Sequence, residues 1–442
     1  MKISLSEHFD YKKLLRFTAP SIIMMIFTSI YGVVDGLFVS NIVGKPAFTA
    51  VNFIMPVLMI CGSVGFMFGS GGSALISKTL GEGNRERANR IFSLIVYTSM
   101  VVGTIIAVFG FVFMEKISAA LGAEGEMLEN SVLYGRIVIC ALPLLLLQYE
   151  FHTLFVTAEK PQLGLIVTII SGVLNMGLDA LFIGAFDMKV AGAALATAIS
   201  QVVGGGIPLV YFSRKNDSLL RLGKTSIDFR AIGISCSNGM SEFVSQGSMS
   251  IVNMLYNTQL IKYTGDDGVA AYGVMMYVNL VFLAIFIGYS VGTAPIIGFN
   301  YGAQNRDELK SLRKKSIRIL VITSVVMLCA AQLLAIPLAK LFVGYDEGLF
   351  DLTVHGFRIF SFLFLFAGIN IFGSSMFTAL NNGLISAIIS FLRTLVFQIS
   401  AVLIMPLFLK VDGIWGSVVV AELLSCAVTV IFMVAKRKKY GY

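Results

Sequence analysis

The chain has 442 residues, of which 57% are hydrophobic and 13% charged, with a mean hydropathy of +0.85, whereas a soluble globular chain carries about 25% charged residues. A soluble enzyme is thereby excluded. At about 20 apolar residues per span there is room for roughly a dozen helices, which excludes a single-pass receptor, and the net charge of +8 gives nucleic-acid binding no support by itself.

In chain order, apolar stretches run Leu14–Ser40, Phe48–Ser77, Ile91–Met114, Ser131–Ala158, Gln162–Phe186 and Val190–Ser213. A polar connection from Arg214 to Arg230 follows. Six more stretches then run Ala231–Ile261, Val269–Tyr301, Leu312–Ala335, Leu352–Leu380, Leu384–Leu409 and Gly413–Ala435. Each is long enough for a helix, whereas a membrane barrel would show alternating segments of about ten residues. The predicted fold class is an all-α integral membrane protein of twelve transmembrane helices in two pseudo-symmetric six-helix bundles. The expected lobes are 1–222 and 223–442. The apolar run after Lys13 is too long, and lacks the small-residue cleavage site, for a signal peptide. The five cysteines, Cys61, Cys140, Cys236, Cys329 and Cys426, stand apart without metal-ligand spacing and read as small core residues.

Of the 33 Lys and Arg, 24 fall on the side shared by the termini and every second connection, counting Arg16, Arg313, Lys314, Lys315 and Arg318 at the span ends there, one falls in each of the six opposite connections, and Arg136, Arg358 and Arg393 lie deeper inside spans. The positive-inside rule therefore predicts that both termini are cytoplasmic. Offsetting the sequence by half its length pairs Gly71 with Gly292 and Gly192 with Gly413, and the polar loop LGEGNRER with YGAQNRDE. Each copy has six spans, an even number, so both enter the membrane in the same orientation. This is the parallel-repeat design, with substrate bound between halves.

Ionisable groups inside spans are costly and mark function by default. The acids are Asp35, Glu150, Asp179, Glu242 and Glu422. Asp35 and Asp179 share a depth, roughly 8–10 Å below the outer surface at 1.5 Å per residue. Asn175 lies one turn from Asp179, and Thr197 on span 6 stands at the same level. Two carboxylates, an amide oxygen and a hydroxyl suit a hard monovalent cation or a shared proton. The alternative is that the two acids are helix-end caps in outer water. Glu242, in SNGMSEFVSQ, is read as a substrate-cavity candidate or an interhelical carboxylate. Glu150 and Glu422 are read as structural, and His152 and His355 show no partner by spacing. Pro20 breaks span 1 and gives a hinge. Asp266–Asp267 reads as a lone loop pair, too little for a prenyl-diphosphate enzyme, which needs two Asp-rich metal motifs.

VDGLFVS around Asp35, SGGSALISKTLGEGNRERANR, VLNMGLDALFI, VAGAALATAIS and GTAPIIGFNYGAQNRDE together resemble the bacterial and archaeal branch of the multidrug and toxic compound extrusion (MATE) family over essentially the whole chain. The resemblance implies a cation site in the N-terminal lobe at Asp35, Asn175, Asp179 and Thr197, with Pro20 as the span 1 proline. Other branches use acids farther along span 7 and in span 10. Here Ser250 stands near the first position, span 10 has no acid, and Glu242 does not match the pattern. The expected function is a secondary antiporter that exports amphipathic, often cationic compounds in exchange for H⁺ or Na⁺. It would act in the cytoplasmic membrane of a prokaryote, among membrane lipids and as a monomer, with no cofactor, no catalytic residue and no metal beyond Na⁺. A lipid-linked oligosaccharide flippase is the alternative, but it would line its cavity with basic residues.

Overall fold

A computed structural model of the chain describes residues 3–38, 43 and 45–442, leaving aside the side chains of residues 35–38 and 45–48. Among the described residues there is no strand. The first half comprises α1 (Tyr11–Phe38), α2 (Lys45–Gly81), α3 (Arg85–Ala120), α4 (Gly125–Cys140), α5 (Leu142–Thr157), α6 (Pro161–Asp179), which continues as a π-helical turn over Ala180–Ala185, and α7 (Lys189–Ser213). The second half comprises α8 (Phe229–Thr264), α9 (Asp266–Gly302), α10 (Arg306–Val343), α11 (Glu347–Phe360), α12 (Phe364–Ala379), α13 (Gly383–Phe391), a π-helical turn over Leu392–Phe397, and α14 (Gln398–Ala435).

Among the described residues, nine helical stretches are long and apolar enough to cross a membrane, and α4 with α5, bent by 60°, supplies a tenth. The stretch Gly383–Ala435 counts once among the nine but divides at Lys410 (φ 50°) into spans 11 and 12. The twelfth is α8, less apolar than the rest because Ser235, Asn238, Ser241, Glu242, Ser245, Gln246 and Ser248 interrupt it. Span 4, expected as one helix over Ser131–Ala158, breaks at Ala141. Pro143, in the first turn of α5, has no N–H to give and its ring crowds the preceding turn. Asp266 and Asp267 are not a loop pair but the first turn of α9, where carboxylates meet the positive helix end.

The duplication repeats in local geometry. Asn84 Oδ1 accepts from Arg87 N at 2.9 Å, and Asn305 Oδ1 accepts from Glu308 N at 3.1 Å, so both loops use an asparagine N-cap. Each is preceded by a left-handed residue, Gly83 (φ 81°) and Gln304 (φ 55°), and Lys189 (φ 51°) matches Lys410 (φ 50°).

The halves meet along a seam in which α2 packs on α8 and α9, and α9 packs on α1. Close approach there depends on missing side chains. A Cβ on Gly81 would sit 2.0 Å from the Phe299 carbonyl oxygen, and one on Gly302 would sit 2.0 Å from that of Lys78. The two contacts are one interaction repeated by the pseudo-symmetry. Asn381 Nδ2 donates to Ala74 O at 3.0 Å and Lys78 Nζ lies 5.8 Å from the Tyr301 ring centre, so this end of the seam is closed.

Both termini lie on that face. Ser4 Oγ and Leu5 N donate to Glu159 Oε1, each at 2.7 Å, while Phe9 N donates to Glu308 Oε1 at 2.9 Å and His8 Nδ1 lies 2.6 Å from Oε2. The N-terminal segment thus ties the α5–α6 turn of one half to α10 of the other, with Leu5 and Phe9 fully buried. At the other terminus, Gly441 packs on Arg306. The connection after α7 stays attached to α3: Arg221 N donates to Asn89 Oδ1 at 2.8 Å and Gly223 N to Ser93 Oγ at 3.0 Å.

The cysteines depart from the expectation of a core role. Cys140 and Cys329 are exposed and the other three partly so, all as free thiols. Lipid is itself apolar, so the hydrophobic effect gives a small thiol no reason to turn inward. The same logic places Ile105, Phe109, Ile322 and Val326 on the outer surface.

A central cavity and a buried polar cluster

A cavity of about 340 Å³ lies between the two halves, lined by α1, α2, α5, α8, α9, α11, α12, α13, α14 and the Leu392–Phe397 turn. That volume is in the range of small-molecule sites. Its walls are largely apolar and soft, with Met25, Met249, Met276, Phe66 and Phe360; methionine adapts its shape to irregular ligands. The interrupted face of α8 explains that helix's polarity: Glu242, Ser245, Gln246 and Ser248 all face the cavity. Glu242 makes no hydrogen bond or ion pair among the described residues.

Opposite charge enters from the last two spans. Arg393 Nε donates to Glu422 Oε1 at 2.8 Å, and Asn370 Nδ2 donates both to Glu422 Oε2 at 2.7 Å and to its carbonyl at 2.9 Å. The two charged side chains are 16% and 6% exposed. Glu422, expected to be structural, therefore has both a structural pairing and a place in the cavity wall. Beside it, Tyr256 and Ser417 share a hydrogen bond at 2.7 Å, and Tyr256 stacks on Tyr272 with ring centres 5.0 Å apart. On the other wall, His152 lines the cavity against Phe66 and Tyr149, with neither ring nitrogen hydrogen-bonded among the described residues. His355, read as partnerless, has its Nε2 2.8 Å from Asp412 Oδ1. Both pairings cross between distant segments, which spacing along one helix does not reveal.

Of the other predicted site residues, Asn175, Asp179, Thr197 and Pro20 lie outside the lining of this cavity. Asn175 and Asp179 are buried on one face of α6. One turn earlier on that face, Ser171 Oγ donates to Ser200 O of α7 at 2.7 Å, so the face is turned towards α7. There Thr197 Oγ1, like Asn175 Oδ1 and Gln201 Oε1, is buried with no hydrogen-bond partner among the described residues. Gln201 is the member that the sequence reading missed; its spacing, four residues after Thr197, was the available signal. Asp35 lies on α1, but its side chain is outside the described residues. Gly172 abuts Phe27 and Tyr31, so α6 packs on α1 just before the level of Asp35. Uncompensated buried oxygens are rare, and a set of them suits a hard cation, which takes oxygen ligands. Glu150 is fully buried and belongs to neither group. Pro20 is buried inside α1, which runs through it as one helix. Among the described residues, no three His, Cys, Asp or Glu side chains cluster as a metal site.

Twelve spans in two repeated halves around a central cavity define a membrane transporter. The chain belongs to the MatE family, whose sequence model matches residues 20–181 and again 243–404. It is thus a multi-pass membrane transporter rather than an enzyme. It is similar to the multidrug export protein MepA of Staphylococcus saprophyticus, 24% identical over 434 residues, covering 96% of this chain and 93% of the relative. MepA of Staphylococcus haemolyticus is 26% identical over 425 residues with the same coverage. Among solved structures, a multidrug resistance MATE family transporter of the MOP superfamily in its outward-facing conformation superposes with a TM-score of 0.92. The two share 23% identity, over 98% of this chain and 97% of that one.

Proposed function

We propose that the chain is a secondary antiporter that exports amphipathic, often cationic compounds in exchange for H⁺ or Na⁺. The observation that carries this reading is the central cavity, soft-walled and largely apolar, with the unbonded carboxylate of Glu242 facing it. The export of drugs by MepA supports the substrate class. The polar cluster of Asn175, Asp179 and Thr197, with Asp35, is the coupling-ion site. It is separate from the drug cavity, so ion and drug act on one another through the packing of α1 against α6 and α9.

The face bearing the termini is cytoplasmic in this reading, as the 24-to-6 bias of basic residues supports, and the protein works as a monomer in the cytoplasmic membrane of a prokaryote. With the seam closed on that face, the cavity is held away from the cytoplasm. Lobes 1–222 and 223–442 then rock about the seam, and Pro20 lets α1 bend as the ion site fills. Efflux of a fluorescent lipophilic cation from cells tests the proposal. Wild type is expected to lower the dye content and Asp179→Asn at equal membrane abundance to lose that effect. Full efflux by Asp179→Asn would remove the ion site from the account, and no efflux by wild type would remove the function.

A further inference from the structure

The guanidinium of Arg393 has five N–H donors in a fixed fork, and one of them, on Nε, is used by Glu422. The remaining four have no hydrogen-bond partner among the described residues, and Arg393 lines the cavity. Glu422 is not available to a ligand in the same way, since Arg393 and Asn370 take both its oxygens. Its place is to hold the guanidinium still. Glu242 is the reverse case, a carboxylate on the same cavity with no hydrogen bond or ion pair among the described residues. The cavity therefore presents one fixed cationic fork and one open carboxylate within largely apolar walls. A simple cation satisfies Glu242 and leaves the free N–H groups of Arg393 unmet; a simple anion meets the opposite problem.

We propose that Arg393, positioned by Glu422, is a carboxylate-binding group of the cavity, and that together with Glu242 it favours amphipathic zwitterions, molecules with both an amine and a carboxylate, over cations of the same shape. The inference rests on the reading of the cavity as the drug site and adds a specificity to it. The planar fork matches a carboxylate through two parallel hydrogen bonds, which a lysine does not reproduce.

The test uses the purified full chain and a pair of xanthene dyes, one with a free carboxylate and the other its methyl ester, with binding read by fluorescence polarisation. Wild type is expected to bind the acid at least about tenfold more tightly than the ester, in keeping with a charge-assisted hydrogen bond. In Arg393→Gln combined with Glu422→Gln, which avoids leaving a Glu422 carboxylate without its guanidinium, the acid is expected to lose that advantage while the ester stays within about twofold. Arg393→Lys recovers part of the difference. Glu242→Gln weakens both dyes together, because both carry the cationic xanthene. Equal binding of acid and ester by wild type, or equal losses of both in the double variant, would overturn the inference and leave the drug cavity standing. Failure of wild type to bind either dye would overturn the drug-cavity reading itself.

Discussion

Replacing Gly81 by alanine inserts a methyl group where α2 crosses α9. The new Cβ lies 2.0 Å from the Phe299 carbonyl oxygen, against a practical limit of 3.0 Å, so the helices must separate by about 1 Å at a point where backbone, not a flexible side chain, is in the way. Overpacking of this kind costs about 1–3 kcal/mol. The clash is set by the seam as closed on the terminal face, so, on the proposed rocking about that seam, the cost acts on the balance between conformations. The shift towards the form open on that face is then roughly 5- to 150-fold. Spin labels at Glu82→Cys and Gln304→Cys, in a background with the five native cysteines replaced, would read it as a gain in the longer inter-label distance. Gly302→Ala, which meets the Lys78 carbonyl oxygen at 2.0 Å, is expected to act the same way, whereas Gly206→Ala, with open space around it, is expected to leave the distances alone. An unchanged distance in both seam variants, or an equal change in the control, would refute the argument that the seam is the moving joint.

In α1, Pro20 gives no N–H to the Arg16 carbonyl, and the Thr18 hydroxyl bonds Leu14 O at 3.0 Å just below. Pro20→Ala restores the missing helix bond and is expected to slow drug turnover more than it weakens drug binding; equal losses would argue against a hinge. Glu308→Gln removes the charge from the acceptor of Phe9 N and His8, and tryptic cleavage at Lys12 and Lys13 is expected to speed up by about tenfold, so an unchanged rate would contradict the tie. On the terminal face, Lys160 Nζ donates to Asp217 at 2.6 Å and Tyr211 adds a bond at 3.2 Å, which hold the Asp217 carboxyl below its usual 3.8. A lowered folded value means that the stabilisation is complete above the usual value and disappears as pH falls through the lowered one. Protection of the Leu220 and Leu222 amides from hydrogen exchange is therefore expected to hold from neutral pH to about pH 4 and to fall below it. In Asp217→Asn, protection is expected to be weaker and without that step, and a step retained in the variant would assign it to another group.

The twelve spans were legible because each apolar run ends at charge or at a Gly/Asn turn, and the halves were legible because LGEGNRER and YGAQNRDE build the same capped turn. The break of span 4 was present in the sequence as Pro143, but it was hidden by the leucines around it. The cavity was legible from one side only. The polar face of α8 pointed to it, while the Arg393–Glu422–Asn370 group joins three spans far apart in sequence. Periodicity along a helix shows which residues share a face; it says nothing of which other helix that face meets. The thiols show a related limit, since hydrophobicity separates water from everything else and does not distinguish lipid from core.

Drug movement in proteoliposomes under separately imposed H⁺ and Na⁺ gradients tests the central claim most directly. The account predicts that at least one of the two inward gradients drives drug in the opposite direction, that reversing the gradient reverses the flux, and that Asp179→Asn abolishes the coupling while the drug still binds. Drug flux that follows only the drug's own gradient, indifferent to both ions and to Asp179, would contradict it.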